Sequence, residues 1–156
     1  MPPRHALAAA GATAVLALAA AAPARAAVVG DCTDYAMATH VMEPWEQHSR
    51  TFYGGRVRLA VVDTDGEPAC CSSYLVVIFP DPDDELGGRT CRMVSQSAGL
   101  GFLGVDMRGV RSSYAAATGL KLLVPVRTLA EDGATARPAV VGLRLDLRTG
   151  RLSLEP

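Results

Sequence analysis

Histidine is scarce in this sequence and catalytic signatures are missing, which excludes several common hydrolase arrangements. The chain has 3 histidines, and only His40 and His48 lie beyond residue 26. It contains no G-x-S-x-G elbow and no S-x-x-K motif, the local signatures of two large enzyme groups. A catalytic triad would need one of these histidines beside a serine such as Ser72 or Ser95, and no spacing requires that arrangement.

No apolar run is long enough to cross a membrane, although the chain begins with a shorter one. Ala6 to Ala22 is mostly alanine, whereas a membrane-spanning helix needs about 20 strongly apolar residues. Arg4 precedes this run and the small-x-small sequence Ala24-Arg25-Ala26 follows it, which is typical of a cleaved secretory signal. We therefore predict a signal peptide at 1–26 and one domain at 27–156, in a periplasmic or secreted protein that is not membrane-embedded.

Positive charge is not in excess. Residues 27–156 carry 13 Lys and Arg side chains against 16 Asp and Glu, a net charge of −3. Proteins that bind nucleic acid or an anionic membrane surface concentrate Lys and Arg on one face. The charge balance therefore argues against nucleic acid as a partner.

The four cysteines lack the spacing of a zinc site or a thiol oxidoreductase. Both kinds of site use C-x-x-C pairs, but Cys70 and Cys71 are adjacent, and Cys32 and Cys91 stand alone. Cys70 and Cys71 also precede a predicted strand, and do not open a helix whose N-terminus would lower a thiol pKa. An even number of cysteines in an exported chain predicts disulfide bonds instead.

The pairing of the cysteines follows from a predicted hairpin between 74–79 and 89–94. Its register places Cys91 opposite Val77 and about six residues, or ~20 Å, along the sheet from the level of Cys71. A disulfide tolerates a Cα separation of only ~7 Å. The sequence therefore favours a Cys32–Cys91 bond. Cys70 and Cys71 must then bond to each other, stay reduced or bond outside the molecule. The rival pairing joins Cys32 to Cys70 or Cys71 and leaves Cys91 free.

Two clusters offer metal ligands. Met37, His40 and Met42 supply thioether and imidazole groups, which suit copper in an oxidising compartment. A strong copper signature would repeat Met-x-Met or Met-x-x-Met several times, and this one does not. The acidic loop at 81–85 could chelate calcium, but it lacks the ordered ligands and glycine turn of a calcium loop. We therefore expect no metal and no other cofactor.

Strand signals dominate the last two thirds of the chain. Alternating apolar residues at 56–62 and 141–148 predict half-buried strands, and the continuous apolar run at 74–79 predicts a central one. Further strands are predicted at 89–94, 101–107, 120–126 and 151–154. The last of these should pair with the strand before it through the turn Thr149-Gly150, with five leucines facing the core: Leu143, Leu145, Leu147, Leu152 and Leu154. Pro125 should then lie at an edge or a bulge, because proline cannot donate to the ladder. Six to seven short strands in this pattern predict a mainly β fold, a small antiparallel β-sandwich or barrel.

Residues 31–50 are the least strand-like stretch, and we expect a short, partly helical N-terminal segment there. Asp34 could cap a helix with Met37, Val41 and Trp45 on its inner face. Four aromatic residues are concentrated in or just after this stretch: Tyr35, Trp45, Phe52 and Tyr53. They could line a partner-binding surface, but packing of the segment over an open end of the sandwich is favoured.

These observations favour a non-enzymatic exported domain that binds a protein or a small ligand, or that has a structural role in the cell envelope. We assign no catalytic residues, because no residue set has the spacing that catalysis requires. The first alternative is a periplasmic copper-binding protein that uses Met37, His40 and Met42. The second is a small secreted hydrolase.

Overall fold

Two open antiparallel β-sheets of five strands each make up most of the molecule. The computed structural model describes residues 27–66 and 69–155, so the predicted signal peptide lies outside the described residues. In the first sheet the strands are β1 (Val28–Asp31), β2 (Ser49–Phe52), β3 (Val57–Asp63), β4 (Ser73–Pro80) and β5 (Arg89–Ser95). In the second they are β6 (Gly104–Val105), β7 (Arg111–Ala115), β8 (Gly119–Leu129), β9 (Ala136–Asp146) and β10 (Arg151–Glu155).

The order of the strands makes the fold a sandwich and not a barrel. The first sheet runs β1-β5-β4-β3-β2, and the second runs β10-β9-β8-β6, with β7 also paired to β8. The mainly β prediction is confirmed, but the described chain has more strands than the six or seven predicted. The additional strands are β1, β2 and β7, which are short and carry no clear apolar alternation.

The main core lies between the two sheets, where alternate residues of each long strand face inward. On the first sheet Leu59, Leu75 and Val77 are completely buried, and on the second Leu122 and Leu143 are. Alternation along a strand places every second side chain on one face. The sequence pattern and the core composition therefore agree.

The C-terminal hairpin forms as the sequence predicts. β9 and β10 pair across the turn at Thr149-Gly150, with Leu145 opposite Leu152 and Leu143 opposite Leu154. All four leucines pack into or against the main core. The apolar face assigned from alternation is therefore confirmed.

Pro125 stands inside β8, a strand with neighbours on both sides. β9 pairs with it along 120–129, whereas the other side is shared by β7, opposite 119–123, and β6, opposite 126–127. Pro125 falls between these two short strands, where its carbonyl accepts a hydrogen bond from the Asp106 backbone at 2.9 Å. We expected Pro125 at an edge or in a bulge. The neighbouring strand is instead interrupted opposite Pro125, so no partner there needs a hydrogen-bond donor from the proline nitrogen.

Residues 32–48, here named the cover segment, lie over the outer face of the first sheet. The segment consists of two 3₁₀ turns, Asp34–Ala36 and Ala38–His40, and one helical turn, Trp45–His48. The single helix predicted from fourfold spacing is wrong, because Met37 between the 3₁₀ turns has an extended backbone, with ψ 156°. The predicted packing over an open end is also wrong. Cys32, Ala36 and Val41 pack against the outer face, and Val41 forms a β-bridge with Val62 at the edge of β3.

Candidate functional site

The outer faces of the two sheets have opposite character. On the second sheet, Glu155 forms ion pairs with Arg144 and with Lys121, the latter at 3.0 Å. Hydrogen bonds from these two cations lower the pKa of Glu155 to about 2. That face is therefore charged and suited to water, as the outer face of a half-buried sheet usually is.

The first sheet presents an apolar outer face instead. Val62 and Val76 are buried there with Met93, in a cluster separate from the main core. These residues alternate with side chains that face the other sheet, such as Val61 and Val77. An apolar face of this kind needs a cover, because leaving it in water costs about 25 cal/mol per Å².

The cover segment fills that role only in part. Cys32, Ala36 and Val41 pack against the outer cluster, and the backbone of Met42 donates to the Val61 carbonyl at 2.9 Å. Thr33 adds hydrogen bonds from its amide and hydroxyl to the Met93 sulfur, at 3.4 Å and 3.3 Å. The segment is therefore fixed to β3 and β5 at several points.

An apolar cleft of about 190 Å³ remains between the cover segment and the sheet. Small side chains keep it open, with Ala36 and Ala38 on one wall and Ala60 on the other. Its remaining lining residues are Val41, Trp45, Ser49, Arg58, Val62, Val76 and Ile78. This cleft is the candidate functional site.

Trp45 and Arg58 stand at the solvent side of the cleft. The Trp45 side chain is 55% exposed, although it is large and apolar. Arg58, on β3, is also exposed and is the one charged residue in the cleft lining of the described chain. The site therefore combines apolar walls with one cation and one aromatic ring at its mouth.

A disulfide ties the cover segment to the sheet beside the cleft. Cys32 is bonded to Cys91, with Cα atoms 5.9 Å apart, the pair favoured from the sequence. Cys91 lies opposite Ile78, one residue from the predicted register, so it shares the outer face with the cleft lining. Cys70 and Cys71 are bonded to each other, and none of the four cysteines is free.

The three residues considered for copper have different surroundings. Met37 is 53% exposed between the two 3₁₀ turns. The His40 ring packs edge-on against Tyr35, and its Nε2 lies 3.6 Å from the Asp65 carboxylate. Met42 packs against the main core, on the far side of the sheet from Val41. This arrangement does not favour a shared metal site. In the described part of the chain, no cluster of three His, Cys, Asp or Glu residues could hold a metal ion.

The histidines also lack the partners that a hydrolase would need. Nδ1 of His40 lies 3.4 Å from the Thr39 hydroxyl, and Nδ1 of His48 is buried without a hydrogen-bond partner. Within the described residues, neither ring forms a hydrogen bond with a serine or a cysteine. A triad uses a hydrogen bond of that kind between its nucleophile and its base.

The N-terminal aromatic residues do not form one surface. Phe52 is buried in the main core, and the Tyr53 ring lies 4.7 Å from the Tyr114 ring of β7. Tyr35 contacts His40, and Trp45 borders the cleft. Only Trp45 therefore belongs to the candidate site.

The sequence did not predict the cleft. It predicted four of the lining residues only as parts of strands: Ala60, Val62, Val76 and Ile78. Their signal was present in β3 and β4, where apolar residues occupy both faces over part of each strand.

No helix of the described chain is long and apolar enough to span a membrane. No protein-family model, curated protein or solved structure matches this chain.

Proposed function

We propose that this chain is an exported, non-enzymatic binding domain whose ligand site is the cleft beneath the cover segment. The observation that carries the proposal is an open apolar cleft of about 190 Å³ on a sheet face that is otherwise buried. Small-molecule sites are typically concave and mostly apolar, with a few polar groups that orient the ligand. The cleft has that composition, with Ser49 and Arg58 as its polar members.

The size of the cleft sets the size of the ligand. An engineered protein cavity of about 150 Å³ lined by apolar side chains is known to hold benzene. The present cleft is somewhat larger and is open to solvent on one side. It therefore suits one small apolar group, such as a single ring or a short hydrocarbon chain.

Two features support export. The N-terminal sequence has the three parts of a secretory signal, with the cleavage motif at Ala24-Arg25-Ala26. All four cysteines are in disulfide bonds, which persist mainly in oxidising compartments. A small ligand would then be bound in the periplasm or outside the cell.

Export predicts a defined N-terminus. When the full chain is expressed in a host that processes secretory signals, the protein recovered outside the cytoplasm should begin at Ala27. Cleavage after Ala26 is expected because alanines at 24 and 26 supply the small residues of the motif. N-terminal sequencing measures this directly. Recovery of a protein that retains Met1, or that carries a lipid on Cys32, would contradict the prediction.

Ligand binding can be read from Trp45, because it is the single tryptophan of the chain and lines the cleft. Titration of the exported protein with 1-octanol should produce a saturable shift of its emission to shorter wavelength, since the ligand excludes water from the ring. Ala60→Leu should weaken this response at least tenfold, because the larger side chain fills the cleft.

The matched control is Ala115→Leu, which adds the same atoms on an exposed strand of the second sheet. It should leave the titration unchanged. Melting temperatures of both variants establish that they are folded. The proposal fails if wild-type emission shows no saturable response, or if Ala60→Leu binds octanol as well as Ala115→Leu does.

A further inference from the structure

We propose that the cleft selects a single-chain amphiphile with an anionic head group, and that Arg58 binds that head. This inference rests on the proposed function and names the class of its ligand. The described part of the chain has one charged residue in the cleft lining, and it is a cation. The structure therefore sets the sign of charge that a ligand head should carry.

Arg58 differs from the other arginines of the first sheet, which all have side-chain partners. Arg50 donates to the Val110 carbonyl at 2.9 Å, Arg89 to the Arg56 carbonyl at 2.6 Å, and Arg92 faces the Asp31 carboxylate at 3.6 Å. Within the described residues, the Arg58 side chain forms no hydrogen bond, ion pair or ring contact. Its guanidinium is therefore available to a ligand.

The position of Arg58 suits a head-group contact. It stands between the buried residues Val57 and Leu59 on β3, so alternation places it on the outer face with Ala60. Its Cα is paired with that of Ile78 on β4, another residue of the cleft lining. The aliphatic part of an arginine can border an apolar wall while its guanidinium stays in water. An amphiphile could then insert its tail while its head remains at the mouth.

The chemistry favours a carboxylate head and one slim tail. A guanidinium binds a carboxylate through two parallel hydrogen bonds, a geometry that an ammonium or a hydroxyl head does not match. The cleft volume of about 190 Å³ accepts one short chain and is too small for a lipid with two acyl chains. A chain of about six to eight carbons is the expected tail, by comparison with the benzene-sized cavity above. Monomeric medium-chain carboxylates are therefore the expected ligand class.

The test compares three probes that share one tail: octanoate, 1-octanol and octylamine. Trp45 emission at neutral pH and low salt should give a Kd for octanoate about tenfold lower than that for octanol, and octylamine should bind more weakly than octanol. Arg58→Gln should remove the preference for octanoate, so that octanoate and octanol bind with similar Kd values. Arg111→Gln, at an exposed site on β7, is the control and should keep the wild-type order.

Failure of this inference can be distinguished from failure of the proposed function. If octanol binds saturably but octanoate binds no more tightly, or if the preference survives in Arg58→Gln, the inference about the head group is overturned and the cleft remains a binding site. If octanol gives no saturable response, or one that Ala60→Leu does not weaken, the proposed function is overturned together with the inference that rests on it.

Discussion

Replacement of Leu145 by alanine should lower the free energy of unfolding by about 2–5 kcal/mol, the range found for buried leucine truncations. Leu145 is completely buried, and it lies between Leu120 on β8 and Leu152 on β10. Its removal leaves a cavity bounded by three paired strands, which cannot close without disturbing the ladder. Urea denaturation followed by circular dichroism measures the loss.

Leu86→Ala is the control for this prediction. Leu86 is 97% exposed on the loop between β4 and β5, and surface substitutions of this kind usually change stability by less than about 0.5 kcal/mol. An unfolding free energy for Leu145→Ala that matches that of Leu86→Ala would show that the inward face of β9 is assigned wrongly.

The double substitution Cys32→Ser with Cys91→Ser should cost about 4 kcal/mol by the chain-entropy model, because the bond closes a long loop in the unfolded chain. The two cysteines are separated by 59 positions. The bond also fixes the start of the cover segment to β5, so its loss should release one wall of the cleft. Octanol binding by Trp45 emission should therefore weaken together with stability.

The second disulfide provides the matched comparison. Cys70 and Cys71 are adjacent, so their bond closes no loop of comparable length. Replacing both by alanine, which places no hydroxyl at the buried position of Cys71, should therefore cost less in unfolding free energy and should leave octanol binding intact. Equal losses of stability in the two double variants would contradict the role assigned to the Cys32–Cys91 bond, as would unchanged octanol binding when that bond is absent.

The cleft exists because the outer faces of the two sheets differ in polarity. The second sheet places Lys121, Arg144 and Glu155 on its outer face and needs no cover. The first sheet places valines on both faces of β3 and β4, so its outer face must be buried by something else. The cover segment buries part of that face with Val41, but alanines face the remainder and leave room. The cleft that we propose as a binding site arises where the cover segment is too small for the face that it covers.

The sequence pattern predicted the long strands well, because the residues that indicate each strand lie within that strand. The alternation in β9 and the continuous apolar run in β4 each lie within one strand, and the turn at Thr149-Gly150 sets the pairing of β9 with β10. The short edge strands β1, β2 and β7 were missed because four or five residues are too few to show a clear alternation. β2 and β7 pair with the next strand in the chain, but β1 pairs with a distant one. Val28, for example, pairs with Ser95. Periodicity inside four or five residues cannot indicate such a partner.

The cover segment shows where local pattern misleads. Fourfold spacing of Met37, Val41 and Trp45 predicts one helix with a common inner face, yet only Val41 packs against the sheet, while the other two are exposed. The extended backbone at Met37 lets the chain follow the sheet and form the bridge from Val41 to Val62. Contacts with the sheet therefore outweighed helical propensity, which is worth less than about 1 kcal/mol per residue.

The sequence by itself determined the mainly β class and the inward faces of the long strands, because alternation is a local constraint. It favoured the pair Cys32–Cys91 from the reach of a disulfide but left a rival pairing open, and the structure decided between them. Only the tertiary structure decided which face of the first sheet the cover segment occupies, and that Ala60, Trp45 and Arg58 border one cleft. A cleft is a space left between segments that are distant in the chain, and its volume depends on how closely they approach. The residue pattern of one strand does not indicate how far that strand lies from another segment. The candidate site could therefore be found only in the tertiary structure, where both walls of the cleft are in place.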